Sequence, residues 1–255
     1  HRQLILYEAL GIKPPVFGHA SLILGEDKSK LSKRHGATAV GQYAIDGFLR
    51  EALINFLALL GWNEGNDREI YSVEELIECF TLERISKSPG VFDHNKLIWM
   101  NGQHLRALSV EKLVPLVEPF LKNALPDDRR LDNPEILRKL VELIQIKMNV
   151  LTDAGPVAES VLRASPPENE EAAAMVATDK SKALFAALAE EFTKCEWVRD
   201  GYNAAIKAAG KTAEAKGKDL FMPIRVKITG SCHGPELVGI LDVLGRDEVI
   251  NRLKS

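Results

Sequence analysis

Along most of the chain, apolar positions recur at the three-and-four spacing of an amphipathic helix. Arg2 to Leu10 reads as a helix stopped by Gly11, with Pro14-Pro15 beyond. Val16 to Leu24 is short and apolar and predicts a strand, and Gly25 to Gly36 has no periodicity and predicts a loop. Thr38 is placed to cap a short helix ending at Gly47. Arg50 to Leu60 puts Leu53, Ile54, Leu57 and Leu60 on one face before Gly61. Ser72 and Glu75 form a capping box ahead of Leu76, Ile77 and Phe80. Asp93 caps a helix through Trp99, and Ser109 caps another carrying Val110, Leu113, Val114, Val117 and Phe120.

A turn at Pro126-Asp127-Asp128 opens a second helical region. Asn133-Pro134 is a cap followed by proline at the first helical position, and Leu137, Leu140, Val141 and Ile144 follow at helical spacing. Ser165-Pro166-Pro167-Glu168-Asn169 reads as a linker. Pro223 and Pro235 each read as first helical positions, with Gly230 and Gly245 just past helix ends. Trp62, Trp99, Trp197, Met100 and Met222 read as core. The pattern predicts a mainly α chain of short helices in two or three packed units.

Composition narrows the function. At 255 residues, 45% hydrophobic and 27% charged, the chain has an ordinary globular balance. The longest apolar run, Ile54 to Trp62, is about half the ~20 residues of a membrane-spanning helix and is broken by Asn55, so no membrane partner is expected. With a net charge of −3, any nucleic-acid contact must use a local patch. The stretch 205–227 supplies one: Lys207, Lys211, Lys216, Lys218, Arg225 and Lys227 stand against Glu214 and Asp219. Cys79, Cys195 and Cys232 are widely spaced and form no CxxC pair, which argues against disulfides and structural zinc and for a reducing compartment. His94, His104 and His233 lack metal-ligand spacing, so no protein-bound metal is expected. The chain starts at His1 inside a helical pattern, which reads as a piece of a longer protein.

The segment with chemical promise is Gly25 to Gly36, where Lys28, Lys30, Lys33 and Arg34 stand among small hydroxyls. Amines on a glycine-bounded loop can close over phosphates and balance charge that builds during phosphoryl or nucleotidyl transfer. A solvated basic loop is the plainer alternative. There is no P-loop and no G-x-G-x-x-G. Ser32 has no His and Asp partners in the pattern, which argues against a serine nucleophile.

Lys30-Leu31-Ser32-Lys33-Arg34 resembles the KMSKS signature of class I aminoacyl-tRNA synthetases, and K-L-S-K-R-H-G followed by Ala37-Thr38-Ala39-Val40 is similar to the glutamyl-tRNA synthetase form. The likeness continues through Asn55 to Trp62, Phe92-Asp93 to Lys96-Leu97, Trp99 to Leu105, Leu220 to Arg225, Thr229-Gly230 and His233 to Leu237. It is weakest from about 122 to 200. Its overall look resembles cyanobacterial and plastid members.

The resemblance implies a domain order. Residues 1–20 would end the catalytic Rossmann domain, whose HIGH-bearing half is largely missing. Residues 21–109 would be the stem-contact domain with the signature loop, and 110–160 and 161–255 two subdomains of an all-helical anticodon-binding domain. Glutaminyl enzymes use β-barrels there, and the absence of alternating strand patterns after 125 favours the glutamyl type. The implied reaction joins glutamate to ATP, which enters with Mg2+, as glutamyl adenylate, and then passes the glutamyl group to tRNA(Glu). Lys33 would be the catalytic cation; Lys30, Leu31, Ser32 and Arg34 would complete the ATP-binding loop. Arg225, Gly234 and Leu237 would contact the anticodon, with an ion pair to an acid the alternative role for Arg225. The family's discriminating arginine falls by eye at Lys147, a flexible point charge in place of a planar fork, which implies charging of tRNA(Gln) as well; a solvated residue on a helix face is the alternative. A monomer in a bacterial cytoplasm, a chloroplast stroma or a mitochondrial matrix is the implied setting. A non-catalytic tRNA-binding or scaffold module is the other function this pattern allows.

Overall fold

The computed structural model describes residues 2–31 and 39–255. The chain divides into two compact units, His1–Gln42 with Arg50–Met100, and Tyr43–Leu49 with Asn101–Ser255.

In the first unit, helix α1 (Arg2–Ala9) ends at Gly11, whose φ of +64° gives the left-handed stop. No residue from 2 to 24 is buried. The strand expected over 16–24 shrinks to β1 (Ile23–Leu24), paired in parallel with β2 (Gly90–Val91). A strand lasts only as long as its partner, and the partner here is two residues long. Glycine at 90 is required: a Cβ there would lie 2.0 Å from the Leu60 carbonyl oxygen.

Helix α2 (Val40–Ile45) follows, and its proposed cap Thr38 lies outside the described residues. Helix α3 (Arg50–Leu59) buries Ala52, Leu53, Asn55 and Phe56. The face expected from spacing holds only in part: Leu53 is buried, but Ile54 and Leu57 are exposed. The helix is rotated toward Asn55, whose side-chain oxygen accepts the Tyr71 N–H at 3.0 Å, and toward Phe56, which meets Phe92 edge to face. Helix α4 (Val73–Cys79) has the expected capping box, with the Ser72 hydroxyl accepting from the Glu75 N–H and the Glu75 carboxylate accepting from the Ser72 N–H. Trp62, Tyr71 and Leu76 form the small core beneath it. Helix α5 (His94–Ala107), capped by Asp93, runs eight residues past the expected end at Trp99, and Trp99 itself is exposed rather than core.

The second unit is all helix. Helix α6 (Val110–Ala124) contains Pro115 and Pro119 on its exposed side and buries Leu113, Val117 and Leu121. Each proline removes one helical N–H, and the freed carbonyls can turn to water there. Leu121, rather than Phe120, completes the buried row. Helix α7 (Pro134–Gln145) buries all four expected residues under the Asn133 cap. Helix α8 (Ala154–Leu162) packs closely on α6, since a Cβ on Gly155 would lie 2.7 Å from Ala124 Cβ.

Helices α9 (Glu170–Ala177), α10 (Asp179–Lys194), α11 (Arg199–Thr212), α12 (Lys218–Thr229), α13 (Leu237–Leu244) and α14 (Arg246–Lys254) complete the unit. Gly230 and Gly245 end α12 and α13 with φ near +80°, as expected. The two prolines are placed differently from expectation. Pro223 lies inside α12 with its ring buried, and Pro235 sits two residues ahead of α13. The carbonyls at helix ends need partners, and Arg252 supplies several. Buried in α14, it donates to the carbonyls of Val161 (3.1 Å), Leu162 (2.6 Å) and Ile228 (2.8 Å), and pairs with Glu248 at 2.7 Å. Arg130 adds a second donor to Leu162 O at 2.9 Å.

Candidate functional site

The cation-rich segment begins as a small hairpin rather than as open loop. Gly25 N–H donates to Ser29 O at 2.8 Å, Leu31 N–H to Ile23 O at 3.0 Å, and Leu24 bridges Lys30. Lys28 takes the left-handed turn position at φ 61°, and Asp27 accepts both the N–H and the hydroxyl of Ser29. The hairpin is anchored through β1: Phe92 N–H donates to Leu24 O at 2.8 Å. Lys30 is exposed and Leu31 half-buried. Ser32, Lys33 and Arg34 lie outside the described residues. Among the described residues no group of three or more His, Cys, Asp or Glu side chains is arranged for a metal ion.

The second set of expected residues comes together in the helical unit. Arg225, on α12, donates from Nη1 to the Pro235 carbonyl at 2.8 Å. Gly234, at φ +139°, passes directly over it: a Cβ there would sit 3.6 Å from Arg225 Nη1. Leu237 opens α13 and is buried. No acid pairs with Arg225 among the described residues, and burial pulls its guanidinium below the ordinary arginine value. A guanidinium carries five N–H donors, so several remain for a base edge or phosphate.

Lys147 is exposed in the turn after α7, not on a helix face, with its N–H donating to Ile144 O at 2.8 Å. The neighbouring Ile146 lines a cavity of about 440 Å3 together with Leu143, Arg199, Glu236, Gly239 and Asp242. Gly239 lets α13 approach α7, since a Cβ there would lie 2.5 Å from Leu143 Cδ1. Glu236 pairs with Arg199 at 2.9 Å, and Asp242 accepts the Tyr202 hydroxyl at 2.6 Å. Burial first, and then Asp242, push the Tyr202 phenol above its ordinary value. Lys207, Lys211, Lys216 and Lys218 are exposed and in no ion pair among the described residues.

Family models divide the chain much as its chemistry does. Residues 1–99 match the catalytic domain of class I tRNA synthetases (E and Q), and residues 112–255, more than half of the chain, match an anticodon-binding domain. The chain belongs to the family of that anticodon-binding domain. It is 42% identical to a glutamate–tRNA ligase of Fervidobacterium nodosum over 253 residues, covering 99% of this chain and 51% of that protein. It is 41% identical to one from Desulforamulus reducens, covering 100% of this chain and 54% of that protein. The crystal structure of a glutamate tRNA ligase from Elizabethkingia meningosepticum, in complex with its amino acid, superposes with a TM-score of 0.87 at 26% identity, over 99% of this chain and 53% of that one. The chain thus spans about half the length of the relatives it matches. The mainly α fold read from the sequence is the fold of this family member.

Sequence reasoning missed the cavity side chains Arg199, Glu236 and Asp242, because they converge from α11 and α13. It also missed Glu168, which it placed in a linker. A single acid among prolines and small residues was the only available signal.

Proposed function

We propose that this chain is the C-terminal half of a glutamate–tRNA ligase and supplies the ATP-closing loop and the anticodon-reading surface. The observation that carries the reading is the Arg225 corner: a half-buried guanidinium without an acid, held by one backbone carbonyl and overlain by a glycine. A half-buried guanidinium with one hydrogen bond keeps donors that a ligand can satisfy. The cavity lined by Glu236, the residue after Pro235, has room for an unstacked base, and the exposed lysines of α11 and α12 fit the phosphates of an anticodon arm. In this reading Leu237 and Gly234 shape the floor and rim of the base site. Lys30, Leu31, Ser32, Lys33 and Arg34 close over ATP, with Lys33 as the cation that meets charge growing on pyrophosphate.

Residues 1–20, 21–109, 110–160 and 161–255 are the proposed catalytic tail, stem-contact domain and two anticodon subdomains. The enzyme would be monomeric, in a bacterial cytoplasm, a chloroplast stroma or a mitochondrial matrix. The cyanobacterial and plastid likeness of its motifs belongs to the same proposal, as does the absence of a membrane partner. The Mg2+ of the reaction would enter with ATP. Lys147, exposed next to the cavity-lining Ile146, would exclude the alternative third anticodon base poorly, so tRNA(Gln) is the proposed second substrate.

Binding of tRNA(Glu) to this chain tests the anticodon surface. Arg225→Ala should weaken it about 10- to 30-fold, the loss of a charged hydrogen-bonding anchor, while leaving the fold intact by circular dichroism. Equal affinity for the variant would overturn the role of Arg225. Charging assays with each tRNA test Lys147: equal use of tRNA(Glu) and tRNA(Gln), sharpened by Lys147→Arg, is expected, and a thousandfold preference for tRNA(Glu) would sink it.

A further inference from the structure

The segment that overlies Arg225 is not self-supporting. Between the end of α12 and the start of α13, residues 230–236 form no regular structure, yet they carry Gly234 over the guanidinium and the Pro235 carbonyl that accepts from it at 2.8 Å. Thr229 Oγ1, at the end of α12, accepts the Ser231 N–H at 3.3 Å, and the segment's other support is one side chain far away in sequence. The Glu168 carboxylate accepts the Ser231 hydroxyl on one oxygen at 2.6 Å and the Cys232 N–H on the other at 2.8 Å. Ser231 Oγ in turn accepts the His233 N–H at 3.0 Å. The Glu168 backbone N–H donates to Gly230 O at 2.8 Å, so both the main chain and the side chain of one residue grip the segment. At its other end the same segment gives the Pro235 carbonyl to Arg225.

Three features make this grip specific. Gly230 turns at φ +80° directly under the carbonyls of Ser165 and Pro166, where a Cβ would lie 2.6 Å from either oxygen, so the connection from α8 to α9 is packed against the turn and not draped over it. Pro166 and Pro167 stiffen the chain just ahead of Glu168 and fix the direction from which it arrives. The hydrogen bonds pull the Glu168 carboxyl below the ordinary carboxylate range, the Ser231 hydroxyl first and the Cys232 amide second, which marks a group that makes its bonds as an anion.

We infer that Glu168 is a positioning residue for anticodon recognition, acting through Ser231 and Cys232 to hold Gly234 and Pro235 in register with Arg225. This rests on the proposed anticodon reading of the Arg225 corner. Glu168 touches no base; its role is to hold the backbone that does. It also ties the connection between the two proposed anticodon subdomains to the reading segment, so the reader is set by both.

The test uses this chain, Glu168→Ala, Glu168→Gln and Ser231→Ala. Two probes are compared: an anticodon stem-loop RNA with the glutamate anticodon, and one with its middle base replaced. Amide hydrogen exchange of residues 230–236 is read in parallel. Glu168→Ala should raise exchange at Cys232 and His233 and cut the preference between the two RNAs by about tenfold, the scale of losing a charged hydrogen bond. Ser231→Ala should give a smaller loss. Glu168→Gln should recover most of the preference, because its amide oxygen still accepts from Cys232 and its amide nitrogen can donate to Ser231 Oγ. Glu168→Ala with an unchanged preference overturns the inference, whether or not exchange rises. A wild-type chain that does not distinguish the two RNAs overturns the anticodon reading instead, and the exchange data then still decide whether Glu168 holds the segment.

Discussion

The signature segment and the Arg225 corner are both candidate sites rich in cations, and they are built in opposite ways. The first is contiguous: its residues are neighbours in the chain, and the part described, up to Leu31, is a hairpin anchored by two-residue strands and flanked by residues 2–24, none of them buried. The second is assembled: Arg225 on α12 and Glu168 ahead of α9 hold Ser231, Cys232 and Pro235 between α12 and α13 through a backbone carbonyl, an amide, a hydroxyl and one carboxylate. Their surroundings differ as well. In the first unit, ion pairs such as Arg50 with Glu51, Arg68 with Glu75 and Lys96 with Glu69 join side chains about two-fifths exposed or more and add little. In the second, Arg252 is 4% exposed and closes two helix ends. On the proposed reading, a site that closes over a ligand gains from light anchoring, and a site that discriminates gains from a rigid frame.

The contrast breaks first at Lys33. In a full-length ligase containing this chain, Lys33→Ala should slow pyrophosphate exchange by a few hundredfold, ~3–4 kcal/mol of transition-state stabilisation, and leave the melting temperature and tRNA affinity unchanged. A parallel loss of tRNA affinity would show that the two sites are not separable.

Arg252→Ala should do the reverse. It leaves the carbonyls of Val161, Leu162 and Ile228 short of a donor and Glu248 without its partner, a cost of about 3 kcal/mol. Denaturant unfolding should show the second unit melting early, with RNA binding lost at the same denaturant concentration. A shift under about 1 kcal/mol would mean that water replaces the guanidinium at these carbonyls.

In the first unit, Ser72→Ala removes the hydroxyl of the α4 capping box and should cost about 1 kcal/mol. Near-ultraviolet dichroism of the Trp62 and Tyr71 cluster should report this while RNA binding stays constant. The smallest effect is electrostatic. Lys207→Ala and Lys211→Ala should each reduce the slope of log affinity against log salt by about 0.7–0.9 if each contacts one phosphate. An unchanged slope would remove α11 from the RNA surface.

Much of this was legible in the residues because the deciding physics is local. The α7 face, the Ser72–Glu75 box, the Asn133 cap and the glycine stops at 230 and 245 depend on neighbours within four or five positions. Where spacing misled, a distant partner had intervened. Asn55 and Phe56 turned α3 away from Ile54 and Leu57 by bonding Tyr71 and packing on Phe92. Pro223, expected to start a helix, sits inside α12, where its ring is buried.

By itself, then, the order of residues determined the helical character, most helix ends, the signature segment and the identity of the arginine and glycine that later meet. Only the tertiary structure decided that Arg225 has a carbonyl rather than an acid for a partner, that Ile146 beside Lys147 lines a cavity, and that Glu168 in an apparent linker grips residues 230–232. Short-range periodicity and capping are set by bonds that span a helical turn. A carboxylate's partner 63 residues away is set by how helices pack, and no local pattern in the chain records that.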